Sequence, residues 1–330
     1  MPTQKTYWHL EHLKRKPTDY DLLTSKLLYY VDRGFEVNVP VEDWYRRHQK
    51  GSPLVCTDWE AFRDPRETTY TKYTELQKTK EIFVDGLLKA IDDTGYDRKL
   101  SPDWVRVLER VMAPLRYPVH GLQMVAAYVG QMAPSGRITV VSLFQAGDEM
   151  RRVQRLAYRM RQLQDTHAGF GDRSRSVWQD DPLWQPLRRV IEQLLVTYDW
   201  GEAFVALNLA LKPMFDELFL AGFGRLAQSR GDDLLARIFL SLREDCEWHR
   251  DWSRALVRMA AADREENADA VAAWLERWRP LVVQALSAFA PVFDDVTVLT
   301  DVDITCREYW TSLDRASERS SNAFRDPDGG

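Results

Sequence analysis

Leu143, Ala146, Met150, Val153, Ala157 and Met160 recur at alternating spacings of three and four. That period lays apolar side chains along one face of an α-helix. It predicts a long helix over 138–166 with this stripe as its buried seam. The same periodicity runs through most of the chain beyond Pro65. Residues 66–93 follow Asp64–Pro65 and carry Tyr73, Leu76, Phe83, Leu87 and Ile91 on one stripe. Residues 102–132 open with Ser101 as an N-cap and Pro102 at the first helical position. Pro114 and Pro118 are expected to break or kink that helix, because proline lacks the N–H and clashes with the preceding turn. Residues 187–228 carry Leu194, Phe204, Leu207, Leu211 and Leu218, with interruptions at Gly201 and Pro213. Residues 232–260 and 267–290 complete the set, the first capped by Asp232 or Asp233. Turn-like breaks fall at 168–176, 222–224, 229–233 and 263–269. Only VTVLTDVDI at 296–304 alternates weakly, as a strand would. The pattern predicts an all-α protein, a bundle of long helices.

The opening differs. Its first 70 residues hold eleven aromatics and five prolines without a sustained helical period. A structureless stretch of that length is unusual inside a compact domain, and it is too aromatic for a free linker. Two readings follow: a segment wrapped over its own domain, or an arm whose Trp8, Trp44 and Trp59 anchor in a partner chain. The second is favoured, since buried aromatics dominate protein interfaces. Three units are expected: an extended arm at 1–65, a helical domain at 66–292 and a C-terminal extension at 293–330. The polar tail beyond Asp314 reads as loose.

Composition narrows the class. The 330 residues are 45% hydrophobic and 29% charged, with a formal net charge of −5, the balance of a soluble globular protein. A slight acidic excess argues against a nucleic-acid partner. Cys56, Cys246 and Cys306 are far apart and form no CxxC pair, so a reducing compartment is expected. The start, MPTQKTYWHLEHLKRK, has no apolar signal core. No window approaches 18 uncharged apolar residues. A cytoplasmic protein outside the membrane is the expectation.

Long-helix bundles often house carboxylate-bridged di-iron centres, which need Glu-x-x-His on two helices and a single Glu on each of two others. The spacing puts carboxylate and imidazole on one helix face. Three residues before the six histidines stand Thr6, His9, Tyr45, Tyr117, Gln164 and Cys246. None is Glu, so no complete motif exists. Two near misses remain. Asp148-Glu149-Met150-Arg151-Arg152 has Arg where the motif has His, and Asp245-Cys246-Glu247-Trp248-His249 has Cys where it has Glu. Cys246 reads as a buried inert thiol and His249 as a hydrogen-bonded core histidine, because a structural zinc site needs about four ligands. The arginines at 151, 152, 155, 159 and 161 form the most basic stretch; interleaved apolar positions favour a helix face over a phosphate-binding one. No P-loop, GxGxxG or nucleophile elbow is present.

Several segments carry a more specific resemblance: TYWHLEHLKRKPTDYD (6–21), SPLVCTDWEAFRDP (52–65), APLRYPVHGLQMVAAYVGQMAP (113–134), DWGEAFVALNLALKP (199–213), EDCEWHRDWSRALVRMA (244–260) and WLERWRPL (274–281). In that order they resemble the β subunit of the hydroxylase component of bacterial multicomponent (soluble di-iron) monooxygenases, in the toluene/alkene monooxygenase branch. The resemblance covers most of residues 6–281 and leaves the last 45 or so unmatched. It implies a ferritin-like long-helix bundle that keeps the fold of a homologous di-iron α subunit but lacks its ligands. By that resemblance the degenerate ligand positions are Glu149, Arg152, Lys212, Cys246 and His249, with Val119 or His120 at the remaining offset. It also implies a role as a structural, non-catalytic subunit. The complex would oxygenate aromatic or alkene hydrocarbons with O₂ and NADH-derived electrons. Its other members would be the di-iron α subunit, a small γ subunit, an effector protein and a Rieske-type ferredoxin with its reductase. This chain itself would hold no catalytic residue, cofactor or metal. Arg152 and Lys212 are expected to replace the metal charge against Glu149 and Asp245 or Glu202, since a buried carboxylate needs a counter-charge. The competing readings are a free-standing helical scaffold or adaptor and a helical metalloenzyme with an unorthodox site.

Overall fold

The computed structural model describes residues 8–24, 39–91 and 94–293, together with residues 300, 302, 304, 307–309 and 311. Among these residues no strand occurs and helices make up the fold. Of the alternating stretch 296–304, residues 300, 302 and 304 are helical; the rest, like the tail beyond Asp314, lies outside the described residues.

The opening segment is less bare than its pattern suggests. It holds a short 3₁₀ turn at Trp8–Leu13, α1 (Asp19–Thr24) and α2 (Val39–Tyr45), which continues as a π turn over Arg46–Lys50. Two of these turns are held by local polar bonds. Thr18 N donates to Asp21 Oδ2 at 2.9 Å, and Arg46 reaches back to Glu42 at 2.6 Å. From Ser52 to Thr68 the chain is extended and laid on the helices. Ser52 Oγ donates to Asp199 at 2.9 Å, Asn267 brackets Val55 through its N–H and carbonyl at 2.9 and 2.8 Å, and Asp64 accepts from Trp248 Nε1 at 2.8 Å.

The long helices begin at α3 (Tyr70–Ile91). The predicted 102–132 helix is instead α4 (Pro102–Val107), a π segment at Leu108–Met112, and α5 (Arg116–Met132). Ser101 caps α4 by accepting from Trp104 N at 3.2 Å. The break falls at Pro114, whereas Pro118 sits in the first turn of α5, where a missing N–H leaves no bond unmade. Next come α6 (Gly136–Thr166), capped by Ser135, then α7 (Ser174–Asp180) and α8 (Gln185–Leu195). From Trp200 to Ser229 the backbone is helical throughout: α9 (Trp200–Phe204), a π segment at Val205–Leu211, α10 (Lys212–Asp216), a second π segment at Glu217–Gly222, and α11 (Phe223–Ser229). Neither Gly201 nor Gly222–Gly224 breaks it. Pro213 is tolerated because the widened π turn before it takes up the clash a proline makes with the preceding carbonyl. The last two are α12 (Asp233–Asp263), capped by Asp232, and α13 (Glu265–Ser287), separated by Arg264 alone.

α5 and α6 form an antiparallel hairpin, and α10 with its flanking π turns lies in the middle, packed by α12 and α13. The middle helix is buried all round: every residue from Ala203 to Leu220 is buried, Lys212, Asp216 and Glu217 included, so it has no side turned to solvent. α6 is different. Its buried stripe is Ile138, Val141, Ser142, Gln145, Asp148, Glu149, Arg152, Leu156, Arg159 and Leu163. The seam expected from the apolar pattern is half wrong: Ala146 and Met160 are buried, but Leu143 is 60% exposed and Met150 and Ala157 also face outward. Likewise on α3 it is Val84 and Leu88 that are buried, while Leu76 and Phe83 are each 50% exposed.

Gly201 marks the closest approach of the opening segment to the bundle. A Cβ there would stand 2.9 Å from Ser52 Oγ, 3.0 Å from Leu54 Cβ and 3.1 Å from Trp274 Cη2. Gly201→Ala is expected to lower stability. Overpacking of about 1–3 kcal/mol outweighs the gain of up to about 1 kcal/mol in helix propensity. Urea unfolding is the check, and a raised midpoint would show that this approach is slack.

Candidate functional site

The five positions singled out in the sequence, Glu149, Arg152, Lys212, Cys246 and His249, meet at the centre of the bundle. α6 supplies Glu149 and Arg152 from successive turns, α10 supplies Lys212, and α12 supplies Cys246 and His249. All five are buried. Lys212 Nζ bonds Glu149 Oε1, and Arg152 Nη1 donates to Glu149 Oε2 at 2.7 Å. The second carboxylate is Asp216, one turn beyond Lys212. It accepts from Arg152 Nη2 at 2.8 Å, and its Oδ2 lies 3.2 Å from Lys212 Nζ. Two cations thus face two anions in a closed square. Arg152 also lies over the Phe215 ring, 5.7 Å from its centroid.

Of the partners expected for these cations, Glu149 takes its place, while Asp245 and Glu202 do not. Asp245 belongs to a neighbouring cluster, bonding Lys80 and, at 2.9 Å, Arg151 Nη1. Glu202 sits farther along, paired with Arg277 and accepting from Trp278 Nε1 at 2.9 Å. Asp216 was missed because it sits in an apolar run, although its position four residues after Lys212 is the spacing that pairs charges on a helix.

Burial sets the protonation states. It alone would lower the Lys212 and Arg152 values, but the facing carboxylates hold both cations charged and raise them. Burial opposes ionisation of Asp216, yet Lys212 and Arg152 keep its carboxyl well below the usual range. The Cys246 thiol is pushed up by burial and then by the Asp216 charge; it is an inert group whose Sγ lies 3.7 Å from the Leu242 carbonyl. His249 is pushed down, first by burial and next by Lys212, so it is neutral. Its Nε2 lies 2.9 Å from Asp148 Oδ2. Asp148 also accepts from Tyr73 Oη and Gln77 Nε2, both at 2.8 Å. Burial and the nearby Asp245 raise its carboxyl well above the ordinary value.

A metal pair does not fit this arrangement. Such a centre needs carboxylate and imidazole lone pairs facing a common point. Here both Glu149 oxygens are taken by cations, His249 Nε2 is taken by Asp148, and an ammonium and a guanidinium fill the space between. Among the described residues no group of three or more His, Cys, Asp or Glu is placed to hold a metal ion. The remaining offset, Val119 and His120, offers a buried aliphatic side chain and an exposed imidazole.

The other singled-out residues also have defined surroundings. Trp59 packs edge-on against Trp200 with centroids 5.1 Å apart. Trp44 meets Tyr198 at 4.8 Å, donates to Tyr128 Oη at 3.2 Å and stays 37% exposed. The side chain of Trp8 lies outside the described residues. The basic run on α6 is paired throughout: Arg151 with Glu81 and Asp245, Arg155 with Glu81 and Asp85, Arg159 with Asp97, and Arg161 with Asp165.

Residues 44–264 match the family described as Methane/Phenol/Alkene Hydroxylase. The chain belongs to that family. It is 36% identical over 292 residues, 86% of this chain and 89% of the other, to the hydroxylase component subunit beta of the toluene-4-monooxygenase system of Ectopseudomonas mendocina. It is 26% identical, over 84% of each chain, to the phenol 2-monooxygenase oxygenase component DmpL of Pseudomonas sp. (strain CF600). A solved structure of toluene 4-monooxygenase with toluene in the resting active site superposes with a TM-score of 0.83 at 35% identity, covering 88% of this chain and 98% of that one. The chain is therefore a homologue of hydroxylase β subunits, with the ferritin-like fold of the di-iron hydroxylases, and within that fold its central square is built from ion pairs.

Two outcomes follow from this chemistry. Lys212→Met leaves Arg152 alone against Glu149 and Asp216, and is expected to cost about 3–5 kcal/mol, the usual effect of stranding a buried charge. Adding Glu149→Gln removes the excess anion and restores part of that loss. Thermal unfolding of the two variants checks it, and equal stability would mean that the square is not charge-coupled. The second outcome concerns pH. His249 is neutral when folded, whereas the unfolded chain takes up a proton there below about 6.5. Its contribution therefore shrinks as pH falls below that value. The stability gap between the native chain and His249→Gln is expected to narrow from pH 7 to pH 5; a constant gap would show that the fold leaves its titration unshifted, and a widening one that His249 is charged in the fold.

Proposed function

We propose that this chain is the non-catalytic, structural β subunit of a multicomponent monooxygenase hydroxylase. The complex oxygenates aromatic or alkene hydrocarbons with O₂ and electrons from NADH. The observation that carries the reading is the filled centre: a chain homologous to hydroxylase components keeps the bundle, while Arg152 and Lys212 saturate the carboxylates. The di-iron centre then belongs to a homologous α subunit, whose bundle this chain seats. A small γ subunit, an effector protein and a Rieske-type ferredoxin with its reductase complete the system. The setting is cytoplasmic; among the described residues no helix is long and apolar enough to cross a membrane.

The surface supports a partner. α3 exposes Tyr70, Leu76, Ile82 and Phe83, and α6 exposes Leu143, Met150 and Tyr158. Runs of large apolar side chains left in water on two helices mark an association face, and an obligate interface buries such area. The opening segment, read as the arm 1–65, extends this role: Trp44 and Tyr198 present a half-exposed aromatic pair beside it. The bundle at 66–292 carries the fold, and of the extension at 293–330 the described residues Val302 and Tyr309 are buried against it.

Co-expression with the neighbouring genes of its operon tests the reading. The lone chain is expected to purify without iron and to aggregate, and the complex to carry about two irons per catalytic subunit. Iron bound stoichiometrically by the lone, well-behaved chain would overturn it. Phe83→Asp with Leu143→Asp is expected to reduce co-purification of the partner while leaving the helical content unchanged.

A further inference from the structure

A cavity of about 410 Å³ opens between the start of α5, the C-terminal half of α6, the turn at 168–173 and α7. Its polar lining is Arg116, Arg161, Arg175, Gln164, Ser174 and Asp172. Three guanidinium groups thus face one carboxylate. The site is also built rather than incidental. Gln164 Nε2 donates to the Phe170 carbonyl at 2.8 Å and pins the turn to α6, with Phe170 itself fully buried. Gly169 and Gly171 take positive φ values of 80° and 77° in that turn, and a Cβ on Gly171 would come within 2.7 Å of Met160 Cε. The turn therefore fits against the cavity wall as glycine alone allows.

Arg116 and Arg175 contrast with the arginines of α6. There, every guanidinium from Arg151 to Arg161 has a carboxylate partner, Arg161 at the cavity included. Arg116 is half-buried, yet its bonds go to neutral groups: Ser174 Oγ at 3.0 Å and Tyr117 Oη at 3.1 Å. These hold the fork in place over the Tyr117 ring, 5.0 Å from its centroid, without neutralising it. Its Nε is buried and has no partner. Arg175 is exposed and, among the described residues, has no ion pair. Arg161 is 70% exposed and pairs with Asp165 at the rim at 2.9 Å. A half-buried fixed cation with neutral partners, joined by two more at the mouth, matches an oxyanion of high charge. Guanidinium forks bind phosphate oxygens two at a time. A pocket of several hundred Å³ also exceeds what a bare phosphate fills, and Tyr117, Ala157 and Met160 supply an apolar wall.

We propose that this cavity binds a phosphate group, held by Arg116 with Arg161 and Arg175, either free or as the monoester of a small organic alcohol. The site lies apart from the central square and does not depend on the subunit role proposed above. The test is calorimetric titration of the full chain, in whatever complex it purifies, at low ionic strength with inorganic phosphate and with phenyl phosphate. One saturable site per chain is expected. Tighter binding of phenyl phosphate would assign the monoester, and equal binding would assign free phosphate. Arg161→Gln with Arg175→Gln, both exposed, and separately Arg116→Lys, which keeps the charge but loses the fork, are each expected to weaken binding by about tenfold or more, the effect of removing charge-assisted bonds. No saturable binding of either probe, or unchanged affinity in the Arg161/Arg175 variant, would overturn the proposal.

Discussion

Everything at the centre of this bundle depends on one electrostatic constraint: two carboxylates cannot be buried without two positive charges beside them. Glu149 and Asp216 are both essentially inaccessible. In an environment of low dielectric, each would otherwise stay protonated or open the core to water. Arg152 and Lys212 solve this together, each touching both carboxylates. The square is neutral as a whole. That neutrality lets the central helix be apolar on its other sides and pack all round.

The same constraint organises the layer outside it. Asp148 and His249 lie next to the square but face Tyr73, Gln77 and Asp245. Both Lys212 and burial push His249 toward neutrality, and Asp245 pushes Asp148 toward its protonated form. The two form a neutral hydrogen-bonded pair beside a neutral ionic square. Asp245 is then left to Lys80 and Arg151, whose guanidinium also meets Glu81. Charge is cancelled locally, shell by shell, as far as the surface of α3. Such networks hold register between α3, α6, α10 and α12 more firmly than apolar contact, which tolerates sliding.

This explains which parts of the structure were legible in the sequence. Helix existence, the cap at Ser101 and one at Asp232 or Asp233 were readable from spacing, and the pairing of Glu149 with Arg152 and Lys212 was readable through the resemblance. The buried face of α6 was not. Its inward stripe includes Ser142, Gln145, Asp148, Glu149, Arg152 and Arg159, while Leu143 and Met150 look outward. A hydrophobic pattern assigns the apolar face to the core, and on this helix polar side chains share the core with Ile138, Val141, Leu156 and Leu163 while Leu143, Met150 and Tyr158 face outward. The mixture is itself informative, because it arises where a polar centre is buried and large apolar side chains are left exposed. Asp216 and the π turns around it escaped for a related reason. An apolar run interrupted by Lys212, Pro213 and Asp216 reads as a broken helix, whereas the structure keeps it helical by widening two turns.

The saturated square also resists conversion to a metal site. Restoring a carboxylate at Cys246 would place a third anion beside Glu149 and Asp216, with only Arg152 and Lys212 to balance three charges. Restoring histidine at Arg152 would remove one of the two cations before any metal was bound. Either single step strands a buried charge, which costs several kcal/mol of a stability that is only about 5–15 kcal/mol in total. Lys212 would have to change as well, and it sits on a turn whose geometry depends on Pro213. A ligand set at this centre therefore needs several coupled substitutions, not one. That coupling gives a physical reason for a ferritin-like chain with this centre to hold its four charges as one unit.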